Sequence, residues 1–249
     1  MAKLLVGNWK MNGLKASLAE ASLIAASAAA AKSHAIHLAI CPPATLLASL
    51  SEAVSGTGLL TGAQDCHEKV SGAHTGDISA AMIQDAGGHF VIVGHSERRA
   101  DHHETSAVVR AKAQAGLDAG LVPIICVGET RAEREAGQAE AIVLGQVDGS
   151  VPDTFPAEGL VIAYEPVWAI GTGLVPSAVD VAAMHRAIHQ RLVDRFGSAG
   201  ASVRLLYGGS VNGGNAGELL HLDHVDGALV GGASLTADGF LKILHAIQE

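Results

Sequence analysis

Three side chains in this sequence are of types that could do acid–base chemistry together: Lys10, His95 and Glu165. A carboxylate can serve as the base, an imidazole can donate a hydrogen bond near neutral pH, and an ammonium can steady negative charge as it forms. Each stands just after a short apolar run, Lys10 in GNWKMN (7–12), His95 in GHSERR (94–99) and Glu165 in AYEPVW (163–168). Taken singly, each has an ordinary reading as a loop cation, a hydrogen-bonded spacer or a loop cap. Their shared position at the ends of apolar runs argues against three coincidences. Two further runs end in Gly208-Gly209-Ser210 and Gly231-Gly232-Ala233-Ser234, turns whose backbone N–H groups are unobstructed and suit a phosphate.

These residues need elements that bring them to one face. Eight apolar runs recur, at 4–6, 37–41, 59–62, 90–93, 122–127, 160–163, 203–207 and 228–230. They are continuous rather than alternating, as in parallel strands covered on both faces. Helical spacing fills the intervals at 14–32, 105–119, 132–146, 178–196 and 235–248, the last with Phe240, Ile243, Leu244 and Ile247 on one face. Eight strand–helix units in 249 residues predict an α/β chain folded as one (β/α)8 barrel over 1–249. An open doubly wound sheet, with six strands, would leave two runs unexplained. In such a barrel the site lies at the strands' C-terminal ends, where Lys10, His95, Glu165 and both glycine turns fall.

Two segments stand outside the repeat. Residues 65–79 have no period and are long for a strand-to-helix loop, which predicts an interacting loop. Residues 166–176 run from Pro166-Val167-Trp168 to Leu174-Val175-Pro176 around Gly171 and Gly173, and suit a lid between two hinges. The lid contains only G-x-G, without the third glycine of a dinucleotide fingerprint or the Lys-Ser/Thr pair of a P-loop. The chain's 13 histidines include no HExxH spacing, so no metal is expected. Cys41, Cys66 and Cys126 fit neither a disulfide framework nor a zinc cluster and read as buried thiols.

With 49% hydrophobic and 16% charged residues the chain can build a large core. Its net charge of −9 argues against nucleic acid as a partner. The N-terminal stretch lacks the apolar core of a secretory signal, and the alanine-rich segment at 25–31 is too short to span a membrane. The chain reads as cytoplasmic.

GNWKMN, GHSERR, AYEPVWAIGTG, YGGSV and LVGGASL, in this order and spacing along the whole chain, resemble the triosephosphate isomerase family. The resemblance implies a TIM barrel that interconverts dihydroxyacetone phosphate and glyceraldehyde 3-phosphate through an enediolate, in glycolysis and gluconeogenesis. Glu165 would then be the base, His95 the hydrogen-bond donor to the oxyanion, and Lys10, beside Asn8, the local positive charge. Glu97 would pair with Lys10 or relay protons. Gly171, Ser210, Gly231 and Gly232 would hold the phosphate. No cofactor is implied, because the substrate's carbonyl accepts the electrons. His95 opens a stretch that looks like a short helix, Ser96-Glu97-Arg98-Arg99, whose dipole would keep the imidazole uncharged.

The same resemblance implies a homodimer in which residues 65–79 insert into a second copy, with Thr75 approaching the partner's catalytic lysine. His74 departs from the aromatic frequent at its position. Pro176 departs as well: it has no N–H, so a latch from Tyr207 to that amide is expected to be lost. The nearest rival is a paralogous isomerase using these residues on a four-carbon ketose phosphate. A Schiff-base aldolase would need a lysine where Glu165 stands, and a non-catalytic phosphate-binding barrel would place no demand on Lys10, His95 and Glu165 together.

Overall fold

In the computed structural model, which describes residues 1–169 and 176–248, all eight apolar runs are strands. They are β1 (Lys3–Asn8), β2 (Ile36–Cys41), β3 (Leu60–Ala63), β4 (Phe90–Val93), β5 (Val122–Val127), β6 (Val161–Tyr164), β7 (Arg204–Tyr207) and β8 (Gly227–Val230). Each pairs in parallel with the next, and β8 returns to β1 with Leu5 opposite Ala228. The barrel is closed.

Side chains alternate across its wall. Leu4, Val6, Ile92, Ile124, Cys126 and Leu206 form an inner cluster, while Leu5, Val91, Ile125, Ile162, Leu205 and Tyr207 join the larger outer core beneath the helices. Because both faces are buried, every strand position favours an apolar residue, which explains the unbroken runs. The three cysteines are buried free thiols. Among the described residues no helix is long and apolar enough to cross a membrane.

The outer ring follows the helical spacing with local corrections. Helix Ser106–Asp118 starts where the Thr105 side chain caps Val108 N–H, and helix Ala178–Phe196 where Ser177 caps Asp180 N–H and Gly197, at φ 59°, ends it. The segment expected as one helix at 132–146 is two, Arg131–Glu135 and Ala139–Ser150. Gly137 breaks it at φ 71°, and a Thr130/Glu133 capping box begins its first part. The segment at 14–32 begins helix only at Leu18, after a 3-10 turn at Lys15–Ser17. The final helix is Ala237–Ala246, capped by Thr236 and preceded by a 3-10 turn at Gly232–Leu235. Residues 65–79 hold no regular element, only a bridge between His67 and Ser79 that cinches the neck of the loop. Residues 170–175, the centre of the expected lid, lie outside the described residues.

Candidate active site

The C-terminal ends of the strands surround a cavity of about 310 Å³ lined by Asn8, Lys10, His95, Glu165, Ser210, Gly231 and Gly232, among others. The parallel barrel makes this convergence unavoidable, since every strand ends on the same side. Gly171 falls outside the described residues.

Lys10 leaves β1 with φ 52°, a left-handed conformation uncommon for a side-chain-bearing residue. Two hydrogen bonds to its main chain hold that turn, and a third anchors Gln64, the donor of one of them. Lys10 N–H donates to Asn8 Oδ1 at 3.0 Å, and Gln64 Nε2 donates to the Lys10 carbonyl and to the Cys41 carbonyl, both at 2.9 Å. The Lys10 ammonium meets Glu97 Oε1 at 2.5 Å. Glu97 is half exposed and lines an adjoining cleft with Lys10 rather than the main cavity. It reaches the site through Lys10 and through His95, whose Nδ1 lies 3.6 Å from Glu97 Oε2.

His95 is the N-cap of the expected short helix, which runs Ser96–Asp101. Its Nδ1 accepts the Glu97 N–H at 3.2 Å, so the neutral ring carries its proton on Nε2, 2.8 Å from Glu165 Oε1. The second oxygen, Glu165 Oε2, accepts the Ser96 N–H at 3.0 Å. Both side chains are buried. Burial works to raise the Glu165 pKa, but the charge and hydrogen bond of His95 and the Ser96 amide outweigh it, and the net shift is downward. The group is a carboxylate at neutral pH. For His95, burial works to lower the pKa, and the facing Glu165 carboxylate overturns it by charge and by hydrogen bond. The net shift is upward, which corrects the expectation drawn from the helix dipole: a carboxylate at 2.8 Å outweighs the partial charge at the start of a six-residue helix.

The glycine turns present backbone to the same cavity. A Cβ on Gly232 would meet nothing within 4 Å, and one on Gly231 would lie 3.6 Å from Lys10 Cε, so the ammonium stem runs past this turn. The Ser210 hydroxyl donates to the Ala169 carbonyl at 2.9 Å, tying the β7 turn to the start of the lid segment. There Glu129 Oε1 accepts from Trp168 Nε1 at 2.8 Å and from the Tyr164 hydroxyl at 3.2 Å. The Tyr207 hydroxyl is buried without a hydrogen-bond partner among the described residues. Thr75 is exposed near the tip of its loop, where His74 stacks on His67.

Several residues that shape the site escaped the sequence reading. Gln64 and Glu129 act on main-chain or aromatic groups that no local spacing reveals, and Ser96 contributes only its amide. Gly128, just past β5, leaves room for the Glu165 backbone, since a Cβ there would lie 1.7 Å from the Glu165 carbonyl oxygen. A glycine at a strand end was the one available signal.

A family model described as triosephosphate isomerase matches residues 3–247. A protein of Afipia carboxidovorans named triosephosphate isomerase is 58% identical over 98% of this chain and 96% of its own length. One of Ruegeria pomeroyi, of the same name, is 55% identical over 99% and 98%. The crystal structure of triosephosphate isomerase from Bartonella henselae superposes with a TM-score of 0.93 at 47% identity, covering 100% of both chains. None of these relatives bears the name of a four-carbon ketose phosphate isomerase. The chain belongs to the triosephosphate isomerase family.

Proposed function

We propose that this chain interconverts dihydroxyacetone phosphate and glyceraldehyde 3-phosphate, the aldose–ketose isomerisation of glycolysis and gluconeogenesis, with Glu165 as the base. The observation that carries the reading is the buried Glu165–His95 pair at 2.8 Å, set at the rim of a cavity that Lys10 and two glycine turns also line. Glu165 leaves the Ser96 amide, takes a proton from one carbon and returns it to the next. His95 donates its Nε2 proton to the oxyanion as it develops, where a placed donor is worth most. Lys10, steered by Asn8 and Glu97, supplies the positive charge. Gly171, Ser210, Gly231 and Gly232 hold the phosphate through main-chain N–H groups. The electrons of the broken C–H bond move into the substrate's own carbonyl, so the step needs neither metal nor cofactor. Residues 166–176 close over the site, because an enediolate exposed to water can expel phosphate before it is reprotonated.

The working form is a cytoplasmic homodimer in which residues 65–79, with Thr75 and His74 at the contact, dock on a second copy. The test of the base is Glu165→Asp. Shortening the carboxylate by one methylene keeps its charge and withdraws it by about 1 Å, so kcat should fall by roughly 10²-fold or more while KM changes little. An unchanged kcat would overturn the assignment.

A further inference from the structure

One cation beside the site has no part in the chemistry described so far. Arg99 is half-buried in the short helix Ser96–Asp101 that His95 caps. Its guanidinium donates four hydrogen bonds: Nε to the Gly94 carbonyl at 2.8 Å, Nη2 to the Cys126 carbonyl and to Ser150 Oγ, both at 3.1 Å, and Nη1 to Ser106 Oγ at 3.3 Å. None of these acceptors is charged. Burial works against the guanidinium's charge more strongly than Cys126, Glu165 and Glu104 support it. The Cys126 thiol stays neutral, pushed well up by burial, and Glu104 already accepts from Arg98 at 2.7 Å and from Lys112 at 2.6 Å. Glu165 is the carboxylate left to face Arg99, and the two line one cavity of about 220 Å³ behind the base. A buried cation on neutral acceptors costs stability, so its presence here calls for a use beyond holding the fold.

The places of the acceptors supply that use. The β4–β5 ladder ends with Val93 opposite Ile125, so Gly94 and Cys126 would form the next pair. Gly94 turns out of the strand at φ 65°, and the guanidinium continues the tie by bonding both carbonyls. Arg99 also grips His95 from both sides. Its side chain holds the Gly94 carbonyl, which precedes the ring, and its own N–H donates to the His95 carbonyl at 3.0 Å. Across β5, Cys126 and Val127 pair with Ala163 and Tyr164 of β6, and the Val127 carbonyl accepts the Glu165 N–H at 2.7 Å. One planar fork thus joins the main chain around His95 to the strand that holds the main chain of Glu165. We propose that Arg99 is a positioning residue for the isomerisation, fixing the separation of His95 and Glu165 by clamping the ends of β4 and β5 behind them; this rests on the function proposed above. The bonds to Ser106 and Ser150 anchor the fork on two outer helices. Lysine cannot replace it, because three donors on a flexible stem do not reproduce a rigid fork.

The experiment follows isomerisation of glyceraldehyde 3-phosphate by the full-length protein, with circular dichroism and a melting temperature for each variant. Arg99→Lys keeps the charge and loses the fork. Arg99→Gln is neutral and serves if a buried ammonium prevents folding. In either variant the 2.8 Å contact between His95 and Glu165 loosens. Displacement on the scale of 1 Å costs up to roughly 10²-fold, so kcat should fall at least about tenfold. KM, and competitive inhibition by inorganic phosphate, should stay within about threefold, since the phosphate grip is untouched. The double change Ser106→Ala with Ser150→Ala removes the helix anchors and leaves the strand clamp. It should lower the melting temperature and keep kcat within about twofold. A purely structural Arg99 would lower the melting temperature without splitting kcat from KM. The proposal is overturned if a folded Arg99 variant keeps kcat within about twofold of wild type, if KM rather than kcat carries the loss, or if the serine pair costs as much kcat as Arg99→Lys. Failure of the proposed function reads differently: the wild type itself would then not isomerise the triose phosphate.

Discussion

Replacing Gly128 by alanine should cripple catalysis without touching any group that meets substrate. The alanine Cβ would lie 1.7 Å from the Glu165 carbonyl oxygen and 2.7 Å from its carbonyl carbon. Both atoms are main chain, so neither can rotate away. Real Cβ contacts essentially never fall below 3.0 Å, so the gap must open by about 1.3 Å. Gln146 resists movement on one side, accepting Gly128 N–H at 2.8 Å and donating to its carbonyl at 3.0 Å. The β5–β6 pairing and the Glu165 N–H to Val127 carbonyl bond, at 2.7 Å, resist it on the other. Shared between the two strands, the opening moves the Glu165 backbone by more than half an ångström, and the carboxylate, several bonds further out, by up to about 1 Å. Misplacement on this scale costs up to roughly 10²-fold, so kcat should fall about 10- to 100-fold, or about 1.4–2.7 kcal/mol in the barrier. KM should stay within about threefold, because the glycine turns lie on β7 and β8. The control is Gly145→Ala, in a helix interior where a Cβ meets nothing within 4 Å. It should keep full activity and add about 0.5–1 kcal/mol of stability. Steady-state kinetics on both variants decide the matter, and a Gly128→Ala enzyme with kcat within twofold of wild type would refute the reasoning.

Other consequences follow from buried groups and from the loop. His185 is fully buried, its Nδ1 bonded to the His224 carbonyl at 2.9 Å, and burial pushes its pKa down from 6.5 to about 4. The unfolded chain therefore binds the extra proton in that window. Stability is intact above about pH 6.5 and falls as the pH drops towards 4, by on the order of 3 kcal/mol. Urea unfolding at pH 7.5 and 4.5 should show a markedly smaller loss in His185→Gln, and equal losses would remove His185 from the account. In the proposed dimer, Thr75→Arg puts bulk and charge on the docking loop and should give poorly active monomers; sedimentation as an active dimer would refute it. Tyr207→Phe removes a hydroxyl without a partner among the described residues and should change stability by no more than about 1 kcal/mol. Its kcat/KM should stay within a few-fold, since Pro176 offers no amide to bond. A large loss with abundant methylglyoxal would show that the hydroxyl latches the lid through another donor.

The barrel was legible because its physics leaves a plain mark: strands covered on both faces demand apolar residues at every position. The breaks in its helices were less so. Gly137 sits among good helix formers, and only its φ of 71° reveals the interruption between Glu135 and Ala139. Lys10, His95 and Glu165 could be found by position alone, since all strands of a parallel barrel end on one side. Gln64 could not. Its function is to bond two carbonyls, and a carbonyl leaves no trace in the sequence of the residue that bears it.

The charge of His95 shows most clearly where position stops and geometry begins. Sequence reveals the helix that follows the ring but not the carboxylate that faces it, and the carboxylate decides the direction of the shift. That upward push lasts only while Glu165 stays turned towards His95 and Ser96. In the proposed reaction Glu165 turns to a substrate carbon, its push on the ring is lost, and burial, the largest single influence, acts with Lys10 against Glu97 towards the neutral imidazole that the oxyanion needs as a donor. The turn has a cost, because two hydrogen bonds to a buried carboxylate are given up, each worth about 1.5–3 kcal/mol. If the glycine turns hold the phosphate as proposed, binding energy gained there can offset that cost, since it is gained away from the reacting carbons. On this reading the phosphate grip does more than hold the substrate: it supplies the free energy that releases the base from its resting partners.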